Sequence, residues 1–198
     1  MHTRERLIGH ALEELERGGV ESFSLRSVSA AAGLTPMAIY RHFSNKEELL
    51  KEAGREAFAT WQARVESVRT NEPMEWMIQA ARLYALFALD EPARFDACFV
   101  LRTGVERRFP RDFRAGKSPV GSMIVARVEA AQAAGLLIAA DPLEIAMVFW
   151  AQLHGLALLH RSGRMAMSRS AFLAMAIRNV EIMLAGYRPQ TTKRGGEE

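Results

Sequence analysis

Cysteine is nearly absent from this sequence: Cys98 stands alone among 198 residues. A lone thiol cannot close an intrachain disulfide, so nothing in the composition calls for an oxidising compartment. Zinc sites built from several thiolates at fixed spacing are excluded on the same ground. Long apolar runs are missing too. No stretch approaches the ~18 consecutive apolar residues of a membrane-spanning helix. The opening Met1-His2-Thr3-Arg4-Glu5-Arg6 lacks the apolar centre of a secretory signal. The expectation is a cytoplasmic chain with no membrane partner. Charge of one sign is also scarce, with 26 Lys and Arg against 23 Asp and Glu, a formal net charge of +3. That excess permits nucleic-acid binding without requiring it. What is present, 49% hydrophobic and 25% charged residues, is the make-up of an ordinary globular protein, so disordered, collagen-like and disulfide-scaffold classes fall away. The length suits one large domain or a small module joined to a larger one.

Helical periodicity runs through almost every segment, and strand alternation is absent. Ile8, Ala11, Leu12 and Leu15 recur at three- and four-residue spacing opposite Glu13, Glu14 and Glu16, and Gly18-Gly19 should stop this first helix. Ser24 is a natural N-cap for a second, ended by Gly33, and Thr35-Pro36 opens a third of about two turns. Ser44-Asn45-Lys46-Glu47 has the form of a capping box at the head of a long helix. Further starts are expected at Asn71-Glu72-Pro73, Asp90-Glu91-Pro92 and Asp141-Pro142, each pairing a side-chain cap with proline in the first turn. Residues 107–116 are expected to be irregular and 189–198 a frayed tail. The predicted fold is all-α with about nine helices: a front module over 1–46 and a larger helical domain over 47–188.

The front module is too short to bury much surface alone. Its second and third helices are joined by Ala32-Gly33-Leu34, a connection tight enough for a helix-turn-helix whose second helix enters a DNA major groove. Val28, Ala32, Ile39 and Phe43 would close on Ile8, Leu12 and Leu15, leaving Thr35, Pro36, Met37, Tyr40 and Arg41 outward. Tyr40, Arg41 and His42 are donors suited to phosphate oxygens, with Lys46 adding a charge at the next helix start. Thr35 and Met37 are placed for base edges, a hydroxyl to bond and a thioether to meet a thymine methyl. An αα-hairpin with a polar outer face fits the spacing as well.

The run from Ser24 to Leu50, with its Tyr40-Arg41-His42-Phe43-Ser44-Asn45-Lys46-Glu47-Glu48-Leu49 centre, resembles the DNA-binding signature of the tetracycline-repressor (TetR) family. The resemblance implies a homodimeric transcription regulator, usually a repressor released from double-stranded operator DNA by a small-molecule effector. By position it implies that Ser27, Thr35, Pro36, Met37 and Tyr40 face DNA, with His42 and Lys46 on phosphates. Many members carry a small or basic residue where Met37 stands, so base preference does not transfer.

In the rear domain, the helix after Asp141 carries one apolar stripe of Leu143, Met147, Trp150, His154 and Leu158 and another of Ile145, Phe149, Leu156 and Leu159. A helix apolar nearly all round needs partners on two sides. The last helix shows Phe172, Ala176, Val180 and Met183 beside Leu173, Ile177 and Leu184. Pairing two helices from each of two chains in a four-helix bundle would cover such faces. The expected interface residues are Met147, Trp150, His154, Leu158, Phe172, Ala176, Val180 and Met183, although a central helix buried in a monomer has the same pattern. Trp150-Ala151-Gln152-Leu153-His154-Gly155 also looks like a variant of a regulatory domain found in part of the TetR family. The pocket that the resemblance implies would draw on Trp61, Met77, Tyr84, Phe87, Phe95, Phe99, Met123 and Trp150, a lining suited to an apolar or aromatic effector. Arg102 and Arg127 are possible orienting groups for an anionic one.

Two rival classes compete with a regulator. An enzyme would have to pair Cys98 with His154 as nucleophile and base, but no third orienting group stands at a recognisable spacing. A helical carrier without sequence-specific DNA binding keeps the same rear domain. No cofactor or metal is expected, since His2, His10, His42, His154 and His160 provide no i, i+4 pair on one helix.

Overall fold

The computed structural model describes residues 3–190. His2 and positions 191–198 of the expected tail lie outside the described residues. Ten helices and no strand are found among the described residues. They are α1 (Thr3–Ser22), α2 (Leu25–Ala31), α3 (Pro36–Ile39), α4 (Lys46–Glu66) and α5 (Pro73–Asp90), followed by α6 (Pro92–Phe99), α7 (Arg111–Arg114), α8 (Pro119–Ala133), α9 (Pro142–Arg161) and α10 (Arg169–Gly186). α7 is the helix beyond the expected nine, a single turn inside the segment expected to be irregular.

The chain forms two compact units, Met1–Ser67 with Leu86–Arg108, and Val68–Ala85 with Phe109–Glu198. Compactness therefore divides the chain elsewhere than at residue 46, because α4 and α6 pack on α1 and on each other. The head needs them. α1, α2 and α3 cannot by themselves remove enough apolar surface from water, and the core of the first unit adds Leu49, Leu50, Ala53 and Ala57 of α4 to Leu7, Ile8, Leu12, Leu15, Val28, Ile39 and Phe43.

Local signals place most helix ends. Ser24, Thr35, Asp141 and the unanticipated Ser118 and Ser168 each accept a backbone N–H in the first turn, which satisfies a donor the helix itself leaves open. The regular run of α1 stops at Gly19, whose φ of 65° breaks the helix where the glycine pair is expected to end it. Three details differ from expectation. α3 has only four residues, because Arg41 and His42 bond back three positions to Ala38 and Ile39 and tighten the chain into a turn. The capping box sits one residue later: Asn45 Oδ1 accepts from the Glu48 N–H at 2.8 Å, while Glu48 Oε2 accepts from the Ser44 N–H at 2.7 Å. Glu91 precedes Pro92 but makes no side-chain cap, since its carboxylate is held by Arg64 and Arg94.

In the second unit α8 and α10 pack on α9. α9 buries Leu143, Ile145, Ala146, Phe149, Leu153 and Ala157, of which Leu143 comes from one expected stripe, Ile145 and Phe149 from the other, and Ala146, Leu153 and Ala157 from neither. It is also the one described helix long and apolar enough to cross a membrane by length and composition, and part of that apolar character is this buried row.

Candidate nucleic-acid interface and ligand site

The reading face is built by a tight connection. Gly33 has a φ of 69°, Leu34 N bonds back to Ser29 O at 2.8 Å, and Gly33 N to Ala30 O at 3.0 Å. This left-handed end of α2 needs a residue without a Cβ. Arg6 donates to the Ala32 carbonyl at 2.9 Å, and the Arg4 guanidinium lies 5.0 Å from the Phe43 ring while pairing with Glu52 at 2.9 Å. These two arginines tie α1 to the end of α2 and to α4. An arginine in a first helix gives no sign of its partner in the sequence.

With Ile39 and Phe43 buried beneath it, α3 holds its other side outward. Met37 is 73% exposed and Tyr40 55% exposed, and Thr35, Pro36 and Arg41 are exposed as well. Thr35 Oγ1 also caps α3 by accepting from the Ala38 N–H at 3.3 Å. His42 and Lys46 are half-buried, and the Lys46 ammonium lies 5.4 Å from the centre of the Phe23 ring. Ser27 is committed locally, its hydroxyl donating to the Ser24 carbonyl at 2.9 Å. The outward set is therefore Thr35, Pro36, Met37, Tyr40 and Arg41, with His42 and Lys46 at its margin.

The eight expected pocket residues separate into two groups. Trp61, Phe87, Phe95 and Phe99 belong to the first unit and pack on one another. Trp61 stacks on Phe87 at 5.5 Å, and Phe99 meets Phe95 edge-on at 5.3 Å and Trp61 at 6.2 Å. Around them Arg94 bonds both Glu56 oxygens at 3.3 Å and reaches Glu91. Such ring contacts contribute on the order of 0.5–1.5 kcal/mol each and make a core joining α4, α6 and the end of α5. Met77, Tyr84, Met123 and Trp150 belong to the second unit, where Met77 and Tyr84 are buried and Met123 and Trp150 half-buried.

That second group contains a polar node. Tyr84 Oη lies 2.8 Å from His154 Nδ1, and the Trp150 indole N–H donates to Tyr84 Oη at 3.2 Å. Burial holds the His154 imidazole below its ordinary value, so the ring is neutral at pH 7. Phe113 packs on Trp150 at 6.0 Å, and Phe109 on Phe113 at 5.9 Å. Of the possible orienting cations, Arg127 lies over the Trp76 ring at 5.2 Å and Arg102 is exposed.

The expected interface residues fare unevenly. Phe172, Ala176 and Val180 have 1%, 1% and 0% exposure within the single chain, so they are core of the second unit and do not face outward. Met147, Trp150, His154 and Met183 are half-buried, and Leu158 is exposed. The open apolar side chains of these two helices are Val148, Leu158 and Leu159 on α9 and Ile182 on α10, the last 71% exposed. The amphipathic pattern was ambiguous because both helices are apolar on more than one side. Cys98 is buried in the first unit beside Glu56 and Arg94, and burial pushes its thiol far above the ordinary range. A thiol so reluctant to ionise is a poor nucleophile, and His154 Nδ1 is engaged by Tyr84 Oη.

Residues 7–53 match the family model for bacterial regulatory proteins of the tetR family, and residues 77–180 match the model for a tetracyclin repressor-like C-terminal domain. Similar solved structures cover almost the whole chain. A Rhodococcus sp. RHA1 protein of unknown function is 24% identical with a TM-score of 0.77, the match covering 96% of this chain and 97% of that one. The TetR-family regulator PfmR from Thermus thermophilus is 19% identical with a TM-score of 0.70, covering 100% and 99%. AibR, solved with isovaleryl coenzyme A and operator DNA, is 18% identical with a TM-score of 0.67, covering 89% and 96%.

Proposed function

The chain belongs to the TetR family of bacterial regulatory proteins, and from that premise we propose that it is a cytoplasmic, homodimeric repressor released from a near-palindromic operator by a small, largely apolar or aromatic molecule. The observation that carries this reading is the outward face of α3, where Met37 and Tyr40 stand exposed over a buried Ile39 and Phe43. A monomer gains nothing from keeping such a thioether and phenol in water, whereas a duplex offers thymine methyls and phosphates to them.

Two copies are needed because one short helix reads too few base pairs for a specific site. Paired heads suit half-sites about one DNA turn apart, ~34–36 Å. The exposed Val148, Leu158, Leu159 and Ile182 supply an apolar surface for the second copy. For the effector, Met77, Tyr84, Met123 and Trp150 in the second unit are the favoured lining, since the other four candidates already pack on one another. That AibR was solved with both a small ligand and operator DNA is consistent with two sites on one such chain. Linkage then requires effector and operator to weaken each other by the same factor.

Gel shift against fragments of the source genome tests the DNA half of this proposal. The expected result is nanomolar-range binding to a near-palindrome that weakens steeply between about 50 and 200 mM salt, as phosphate contacts release counterions. Tyr40→Ala should weaken binding to all sequences, while Met37→Ala should change base preference. Binding that ignores salt, or a Tyr40→Ala protein that binds as tightly as the parent, would overturn the assignment of this face.

A further inference from the structure

The peptide between Ala32 and Gly33 is held at both edges. Its N–H, on Gly33, donates to the Ala30 carbonyl at 3.0 Å, and its carbonyl, on Ala32, accepts from the Arg6 guanidinium at 2.9 Å. A peptide unit is planar, so bonds on opposite edges fix the way the plane faces. Packing does not wedge the turn. Gly33 has a φ of 69°, and nothing beyond its chain neighbours lies within 4 Å of where a Cβ would stand. Glycine also has the widest choice of φ and ψ of any residue. The bonds from Leu34 N to Ser29 O and from Ala32 N to Val28 O stay within the end of α2, whereas Arg6 brings a bond from another helix. A charged donor makes the stronger kind of hydrogen bond, and this one stands on a firm base, because Leu7 and Ile8 beside it in α1 are buried.

The direction of α3 depends on this peptide. α3 has four residues, too few to hold a helix by its own hydrogen bonds. Its far end is anchored by the buried Ile39 and Phe43. Its near end begins at the Thr35 cap and Pro36, directly after Gly33-Leu34. The outward residues next to the turn are Thr35, Pro36 and Met37, and Thr35 and Met37 are the pair suited to base edges. Contact with a base edge demands a fixed position, whereas attraction to phosphates is sequence-independent and lets a protein slide along the duplex. A pivot of the Ala32–Gly33 plane would carry the start of α3 with it and disturb the first of these far more than the second.

We propose that Arg6 is a positioning residue for operator recognition: by holding the Ala32–Gly33 peptide from α1 it fixes the start of α3, and so sets discrimination between operator and other DNA. The proposal rests on the DNA-binding reading above. It goes further by giving a specificity role to a side chain of α1 that bonds the protein's own backbone.

Two duplexes test it by fluorescence anisotropy of the full chain at about 0.15 M salt: the sequence that the parent protein enriches from a randomised pool, and a scrambled duplex of the same composition. Arg6→Met, which keeps the stem and removes the donor, should weaken binding to the enriched duplex about tenfold and to the scrambled one about threefold or less. Arg6→Gln, whose amide is too short to reach, should do the same, and Arg6→Lys, which keeps a charged donor, should recover part of the loss. Arg6 is exposed, so these variants should stay folded. Val65→Ala, at the far end of α4 and buried, is the control for lost stability and should leave the ratio of the two affinities unchanged. Hydrogen exchange of the free protein reads the turn itself: in Arg6→Met and Arg6→Gln the Gly33 and Leu34 amides should exchange about tenfold faster, with the amides of α4 unaffected. Equal losses on both duplexes would make Arg6 a phosphate contact and overturn the proposal. Unchanged exchange at Gly33 and Leu34, or a ratio that Val65→Ala lowers as much, would overturn it too. A parent that enriches no duplex removes the DNA-binding reading and this role with it. A parent that discriminates, with Arg6→Met and Arg6→Gln discriminating equally well, keeps the regulator and removes the role of Arg6 alone.

Discussion

At Gly54, in the middle of α4, an added Cβ would stand 2.5 Å from the Thr103 hydroxyl oxygen, 2.9 Å from Thr103 Cβ and 3.0 Å from a Val105 methyl. Thr103 and Val105 are themselves buried, and a Cβ cannot swing aside without its backbone. Gly54 thus lets the segment after α6 lie directly on the helix. Gly54→Ala should destabilise the chain by about 1–3 kcal/mol through overpacking, despite the better helix propensity of alanine. Chemical unfolding checks this, and an unchanged or raised midpoint would show that the segment can move away. His154 offers a pH-dependent counterpart. Its folded-state affinity for a proton is lowered by burial, so on acidification the unfolded chain protonates first. Stability should be full above the ordinary imidazole value of ~6.5 and decline as pH falls through it. Thermal unfolding at pH 7.5 and 5.5 should show a smaller drop for His154→Gln than for the parent; equal drops would remove His154 as a source.

Helix starts show where one-residue precision in the sequence was lost. Ser44 and Asn45 are both good caps, and a Glu stands three residues after each of them. Two overlapping boxes can be written, and the structure adopts the second, with Asn45 as cap and the Glu48 carboxylate turned back to Ser44. The bond from the Ser44 backbone N–H, with its hydroxyl, holds Glu48 below the ordinary carboxylate range. Asn45→Ala should therefore cost about 1 kcal/mol and more than Ser44→Ala, as measured by chemical denaturation. The reverse order would return α4 to the earlier register. α3 makes the complementary point. Its start at Thr35-Pro36 was legible, but its end was not, because no glycine or proline marks position 40. The buried Ile39 and Phe43 decide where the chain must turn toward α4.

At the scale of the molecule, the open apolar residues are the uncovered surface of a single chain. Each of Val148, Leu158, Leu159 and Ile182 is between 36% and 71% exposed. Covering them would contribute roughly 1 kcal/mol apiece by apolar area. Leu159→Glu should convert a solution dimer to a monomer in analytical ultracentrifugation. With the two heads no longer joined, apparent operator affinity should fall on the order of 10²-fold as the second contact loses its effective concentration. A Leu159→Glu protein that sedimented like the parent and bound DNA equally well would place the subunit contact elsewhere.

The sequence by itself determined the helix class, most of the helix starts and the outward set on α3. These rest on interactions within a few residues: a cap, a proline at the first turn, a glycine at a left-handed φ, and a periodicity that leaves Ile39 and Phe43 on one side. Tertiary structure alone decided which apolar faces meet. Phe172, Ala176 and Val180 became core, Trp61 and Phe87 joined the head unit, and Tyr84 found His154 seventy positions away in the chain. Burial is non-directional, so a helix apolar on two sides carries no instruction about which side faces which neighbour. That choice is made only when all the helices compete for the same dry interior.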